Sequence, residues 1–142
     1  MTHVDFHVLP PQPRRQHDVF VCELIEREWQ AGRRIHVHCG DAENLSALDD
    51  LLWTFHDTSF VPHARLGDAE AAHAAVTLSS TPEGPEMSDI LINLAFEVPG
   101  FFSQFERVIE TSGYDEPSRQ QARERYRFYK ARGYPLVTHN AS

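Results

Sequence analysis

DILINLA, residues 89–95, is the stretch that decides the fold. Ile90, Leu91, Ile92, Leu94 and Ala95 fall on both sides of an extended chain, so the segment has no side suited to water. A strand buried on both faces is the mark of a parallel sheet sandwiched between helices. Upstream, residues 2–9 alternate with Val4, Phe6 and Val8 on one face and read as a first strand. PPQPRR breaks the pattern, and over residues 17–30 Val21, Cys22, Ile25 and Trp29 recur at helical spacing before a stop at Gly32. Residues 34–39 form a second strand. Asp41 is placed to cap a helix whose Leu45, Leu48 and Leu52 form an inward stripe ending near Trp53.

Residues 56–70 read as loop around FVPH, and residues 74–78 as a short third strand. SSTPEGPEMS, residues 79–88, is rich in turn formers and reads as a mobile surface loop. Residues 105–110 suit a strand better than a helix end. A helix is expected from Pro117 to Arg132, stopped by Gly133, with residues 134–138 a last strand or extended tail. Strands alternating with helices predict a single α/β domain over residues 1–142, a three-layer α/β/α build with a mostly parallel sheet.

The charge is unevenly spread. The chain holds 13 Lys and Arg against 21 Asp and Glu, a formal −8. Residues 119–132 carry Arg119, Arg123, Arg125, Arg127, Lys130 and Arg132 against Glu124 alone, a local +5 that leaves −13 for the rest. A positive stripe on an acidic body suits a short acidic partner better than long DNA. The 41% hydrophobic and 24% charged content is that of an ordinary soluble domain, with no run long enough to span a membrane and no signal-peptide pattern at the start. Two isolated cysteines, Cys22 and Cys39, favour a reducing, cytoplasmic setting.

The usual chemistry of α/β domains is missing. The glycines at 32, 40, 67, 84, 100, 113 and 133 are too far apart to cradle phosphates, so no nucleotide-binding loop, no cofactor and no catalysis are expected. His38-Cys39 at a strand end resembles the start of a phosphatase loop, but Leu45 stands where that loop needs arginine, and Cys39 reads as a packed residue. His7, His36 and His38 would converge on a metal only if the first two strands are neighbours. With no carboxylate or cysteine at ligand spacing, no metal site is expected.

VCELIEREWQAGRRI (21–35), LDDLLWTF followed by SFVPH (48–63), DILINL (89–94) and YDEPSRQQARERYRFYKARGY (114–134) resemble, in order and spacing, the chi subunits of the bacterial DNA polymerase III holoenzyme. The resemblance implies a Rossmann-like domain that binds no nucleotide. It also implies two partners: the psi subunit of the clamp loader, and the acidic C-terminal tail of single-stranded DNA-binding protein. Carried to matching positions, Trp53, Phe60, Val61 and Pro62 belong to the psi surface, and Arg119, Arg123 and Tyr126 to the tail site. Helical geometry adds Lys130 to the same stripe and turns Ala122 and Tyr129 toward the sheet. DNA is then met only through these partners. The alternative is a module that binds single strands directly through the basic helix. The chain departs from the family pattern in the histidines of its first two strands and at Ser112-Gly113, where members carry Val-Pro.

Overall fold

The computed structural model describes residues 2–56, 60–85 and 89–140. Seven strands form one sheet in the order β3-β4-β2-β5-β6-β1-β7, every neighbouring pair parallel. The strands are β1 (His3–Val8), β2 (Ile35–His38), β3 (His63–Arg65), β4 (Val76–Ser79), β5 (Ile90–Asn93), β6 (Arg107–Thr111) and β7 (Leu136–Asn140). The helices are α1 (Arg14–Gln30), α2 (Ala42–Thr54) and α3 (Glu116–Ala131). The expected three-layer Rossmann-like α/β build is present, and its sheet is wholly parallel. β5 is the DILINLA stretch, with Ile90, Leu91 and Ile92 fully buried.

Strand alternation sends these residues to two different layers. Ile90, Ile92, Ile35, Val37 and Ile109 meet Val21, Cys22 and Ile25 of α1 and Leu45, Leu48 and Leu52 of α2. Val4, Leu91 and Val108 point the other way, to Phe102 and Phe105 of the segment before β6 and to Tyr129 of α3. One layer is aliphatic, the other aromatic.

Four expectations need correction. The loop read over residues 56–70 contains β3 and a single 3₁₀ turn (Ala69–Ala72); residues 57–59 lie outside the described ones. The third strand of the sequence reading is the fourth of the chain, at Val76–Ser79. Of the segment read as a mobile loop, Ser79 completes that strand and residues 86–88 lie outside the described ones. Finally, β1 and β2 are separated by β5 and β6, so His7 does not meet His36 and His38. His7 stacks instead on His139 of β7, centroids 4.7 Å apart, while His36 meets the hydroxyls of Thr77 (2.7 Å) and Ser79 (3.0 Å).

Candidate docking surfaces

The sequence dictates the start of α3 with unusual redundancy. The Asp115 carboxylate accepts the Ser118 backbone N–H at 2.9 Å, and the Ser118 hydroxyl accepts the Asp115 N–H at 3.1 Å, a reciprocal capping box. These bonds hold the Asp115 carboxyl below its ordinary range. Gly113, just before, has φ +82°, and a Cβ there would collide with the Ser118 side chain. Proline, fixed near −65°, cannot take that φ. Ser112-Gly113 is therefore a turn that a proline at 113 could not form, and the Ser112 hydroxyl accepts the Leu9 N–H at 2.9 Å.

α3 then lies beside the β7 edge and leaves a groove of about 330 Å³. Its floor is Phe6, Val8, Ala122 and Tyr126, with Phe6 and Tyr126 in edge-to-face contact at 5.5 Å. Its rim is Arg119, Arg123 and Arg127. Arg119 is pre-oriented, since its Nη1 donates to the Leu9 carbonyl at 2.6 Å. Arg123 pairs with Glu116 at 3.3 Å and Arg127 pairs with Glu124, both in the open. The structure thus brings Arg119, Arg123 and Tyr126 together as the stripe predicts, with Ala122 and Tyr129 buried. Lys130 is exposed and does not line the groove; Arg127, which the stripe left out, does.

Arg125 is a larger surprise. Counted from sequence as part of the basic stripe, it is buried and donates to Glu110 at 2.8 Å. Glu110 is fully enclosed and also accepts from Tyr129 Oη at 2.6 Å and Asn93 Nδ2 at 2.9 Å. Arg125 further donates to the carbonyls of Phe96 (3.1 Å) and Thr111 (3.3 Å). Burial, ahead of the Glu110 charge, pushes the Tyr129 phenol far above its ordinary range and keeps it a donor. The signal was in the spacing: 122, 125 and 129 share the inward face of α3.

At the opposite, β3 edge, Trp53 and Phe60 are half or more exposed, at 50% and 59%. Their rings lie 5.4 Å apart, and Trp53 also packs on His63 at 4.4 Å. His63 is locked from below, Nε2 to Asp49 at 2.8 Å and Nδ1 to the Val61 carbonyl at 2.7 Å. Asp49 is shared with Arg65 at 2.9 Å. Pro62 is half-buried beside this group, whereas Val61 is fully buried in the aliphatic layer. Val61 therefore holds the loop in place and presents no side chain to a partner.

Fold and surfaces define the class: a Rossmann-like α/β domain with a cationic groove at one sheet edge and an aromatic pair at the other. The family model described as DNA polymerase III chi subunit, HolC, matches residues 1–137, and the chain belongs to that family. It is 39% identical over 142 residues to the DNA polymerase III subunit chi of Pseudomonas aeruginosa, covering 98% of this chain and 96% of the relative. It is 33% identical over 119 residues to that of Escherichia coli, covering 83% and 81%. The crystal structure of T4 UvsW matches in fold alone, with a TM-score of 0.70 and 8% identity over 99% of this chain and 41% of that one. Among the described residues, no helix is long and apolar enough to cross a membrane.

Proposed function

We propose that this chain is a non-catalytic accessory subunit of the replicative polymerase assembly, working in the cytoplasm as a bridge between two proteins. The aromatic pair at the β3 edge docks the psi subunit, and the groove at the β7 edge takes the acidic C-terminal tail of single-stranded DNA-binding protein. The observation that carries the reading is the groove itself: three arginines rim an apolar floor. Guanidinium groups grip carboxylates through paired N–H donors, and the floor between Phe6 and Tyr126 receives an apolar terminal side chain. DNA is reached only through the tail-bearing partner, because the acidic remainder of the surface repels a long polyanion.

Calorimetry tests both ends. An acidic peptide ending in an apolar residue should bind, an oligonucleotide of equal charge should not, and Arg123→Ala, at the middle of the rim, should weaken the peptide more than any other single arginine substitution. Phe60→Ala should cost about 2 kcal/mol or more in psi binding, the scale of an interface anchor, with the far-UV spectrum unchanged. Stronger binding of the oligonucleotide than of the peptide would favour the single-strand-binding alternative. Unfolding of Phe60→Ala would make Phe60 core rather than interface.

A further inference from the structure

The chain leaves β2 through α2 on the aliphatic face of the sheet, and leaves β5 through residues 94–106 on the aromatic face. β2 and β5 are neighbours, so these diverging exits open a cleft at their carboxyl ends. Open parallel sheets bind ligands at such switch points, because no crossover fills the space between the departing chains. Here the cleft measures about 500 Å³.

Its lining is the reverse of a phosphate site. Neither Lys nor Arg lines it; Asp41 and Glu97 do, both exposed, beside the apolar Leu94, Phe96 and Val98. The α2 N-terminus would favour an anion, but Asp41 caps it, accepting the Asn44 N–H at 2.7 Å, and its full charge outweighs the partial one. Arg14 reaches Asn44 but does not itself line the cleft. Phe96 stands on the rim, 64% exposed.

One buried group sets the cleft apart from a merely acidic surface. His38 lines it, is only 9% exposed, and its Nδ1 has no hydrogen-bond partner among the described residues. His36, two residues earlier on the same face, has both ring nitrogens satisfied. Buried polar atoms are paired as a rule, so the orphan points to a missing partner. Burial holds the His38 imidazole below its ordinary range, which leaves the ring neutral with one nitrogen able to accept. An incoming group that only donates meets acceptors here: the His38 ring, the two carboxylates, and the hydroxyls of Ser80 and Thr81.

We propose that this cleft docks a positively charged segment of a partner protein, with an Arg or Lys side chain reaching toward His38 between Asp41 and Glu97 and an adjacent apolar residue covering Phe96. Neither docking surface described above takes part in it.

The probe is a blocked tetrapeptide, RLRL, titrated while amide resonances of the whole chain are followed by NMR. Salt is held at about 0.15 M, so that charges more than about 8 Å apart are screened. RLRL should move the amides of Gly40, Ala95 and Glu97, while the blocked peptide ELEL and inorganic phosphate should not. Asp41→Asn/Glu97→Gln should weaken RLRL about tenfold, since asparagine still caps α2 while both charges are gone. The remote pair Glu23→Gln/Glu70→Gln, equal in charge, should change it less than about twofold. His38→Leu should weaken it as well, with the melting temperature checking the fold. The proposal is overturned if RLRL at about 5 mM, enough to fill most of a millimolar site, moves none of these amides. It is equally overturned if phosphate moves them, or if the remote pair weakens binding as much as the cleft pair.

Discussion

The two edges of the sheet are finished in opposite chemistries, and what lies beneath each differs as well. At the β3 edge, Trp53 and Phe60 stand over the aliphatic layer of α1 and α2, through buried Val61 and Phe55. At the β7 edge, the arginine groove stands on α3, which is tied to the sheet by Glu110, Arg125, Tyr129 and Asn93. An aromatic surface draws affinity from area removed from water and is nearly indifferent to salt. A groove of exposed charges draws it from pairs that salt screens. On the proposed reading, this difference would let one small domain hold two partners without confusing them.

The comparison breaks first at Glu110. Glu110→Leu leaves Arg125 a buried charge without its carboxylate and strips Tyr129 and Asn93 of their acceptor. Breaking such a pair costs about 3–5 kcal/mol, and urea unfolding should show a loss on that scale. Adding Arg125→Leu should restore much of it, since an apolar pair of similar size needs no partner. A loss below about 1 kcal/mol would mean that the network decorates α3 rather than anchors it.

Acid should separate the two layers next. Burial, with a smaller push from the His38 charge, lowers the His36 pKa to about 4. In the unfolded chain the ring takes its proton near pH 6.5. Between these values the unfolded state binds more protons, so the His36 contribution to stability falls as pH drops from 6.5 to 4 and changes no further below. The window is worth about 3 kcal/mol. His38, on the same face, is shifted in the same direction by burial and steepens the slope, and His7, at the β1–β7 edge against Phe20 of α1, adds a smaller push of its own. On the aliphatic side, burial pushes the Cys22 and Cys39 thiols up to about 12. They stay protonated in both states throughout this window and are silent in it. Denaturant titrations at stepped pH should show the slope in the parent chain and a shallower one in His36→Gln. Identical slopes would remove His36 as its source.

The aliphatic layer was the legible half of the fold. The apolar run of DILINLA, the Val21–Ile25 spacing and the Leu45–Leu48–Leu52 stripe announce their burial, and Ile90, Ile92, Val21, Cys22, Ile25, Leu45, Leu48 and Leu52 are all buried in this layer. The other layer hides its logic in polar residues. Arg125 reads as one more surface cation because its partner, Glu110, sits on another element. β3 is three residues long with only Ala64 buried, too short for a periodic signal. The order that separates β1 from β2 is a property of crossovers, not of any local stretch, so the meeting of His7 with His36 could not be judged from sequence. Arg119, Arg123 and Tyr126, taken from the resemblance, fall on one stripe by helical spacing and line one groove, whereas Lys130 of that stripe gives way to Arg127 where the groove ends. Val61 shows the same limit, since an apolar residue in an apolar loop gives no sign of which way it points.

The smallest effect sharpens the comparison most, because it asks where the groove stops. Arg127 lines the groove and Lys130, less than one turn further along α3, does not. Arg127 is already paired with Glu124, so an incoming carboxylate replaces one exposed ion pair with another and gains only the difference. Exposed pairs are worth at most about 1 kcal/mol, so Arg127→Ala should weaken the acidic peptide by that much or less. Lys130→Ala removes the same formal charge but no groove contact, and at about 0.15 M salt screening should hide it. At low salt the Debye length reaches about 30 Å, both cations act through the field, and the two variants should converge. Calorimetry at the two ionic strengths reads this directly. Equal losses at both salts would mean that the helix attracts the peptide as a diffuse cationic stripe. A loss confined to Arg127 at the higher salt marks a groove with an end.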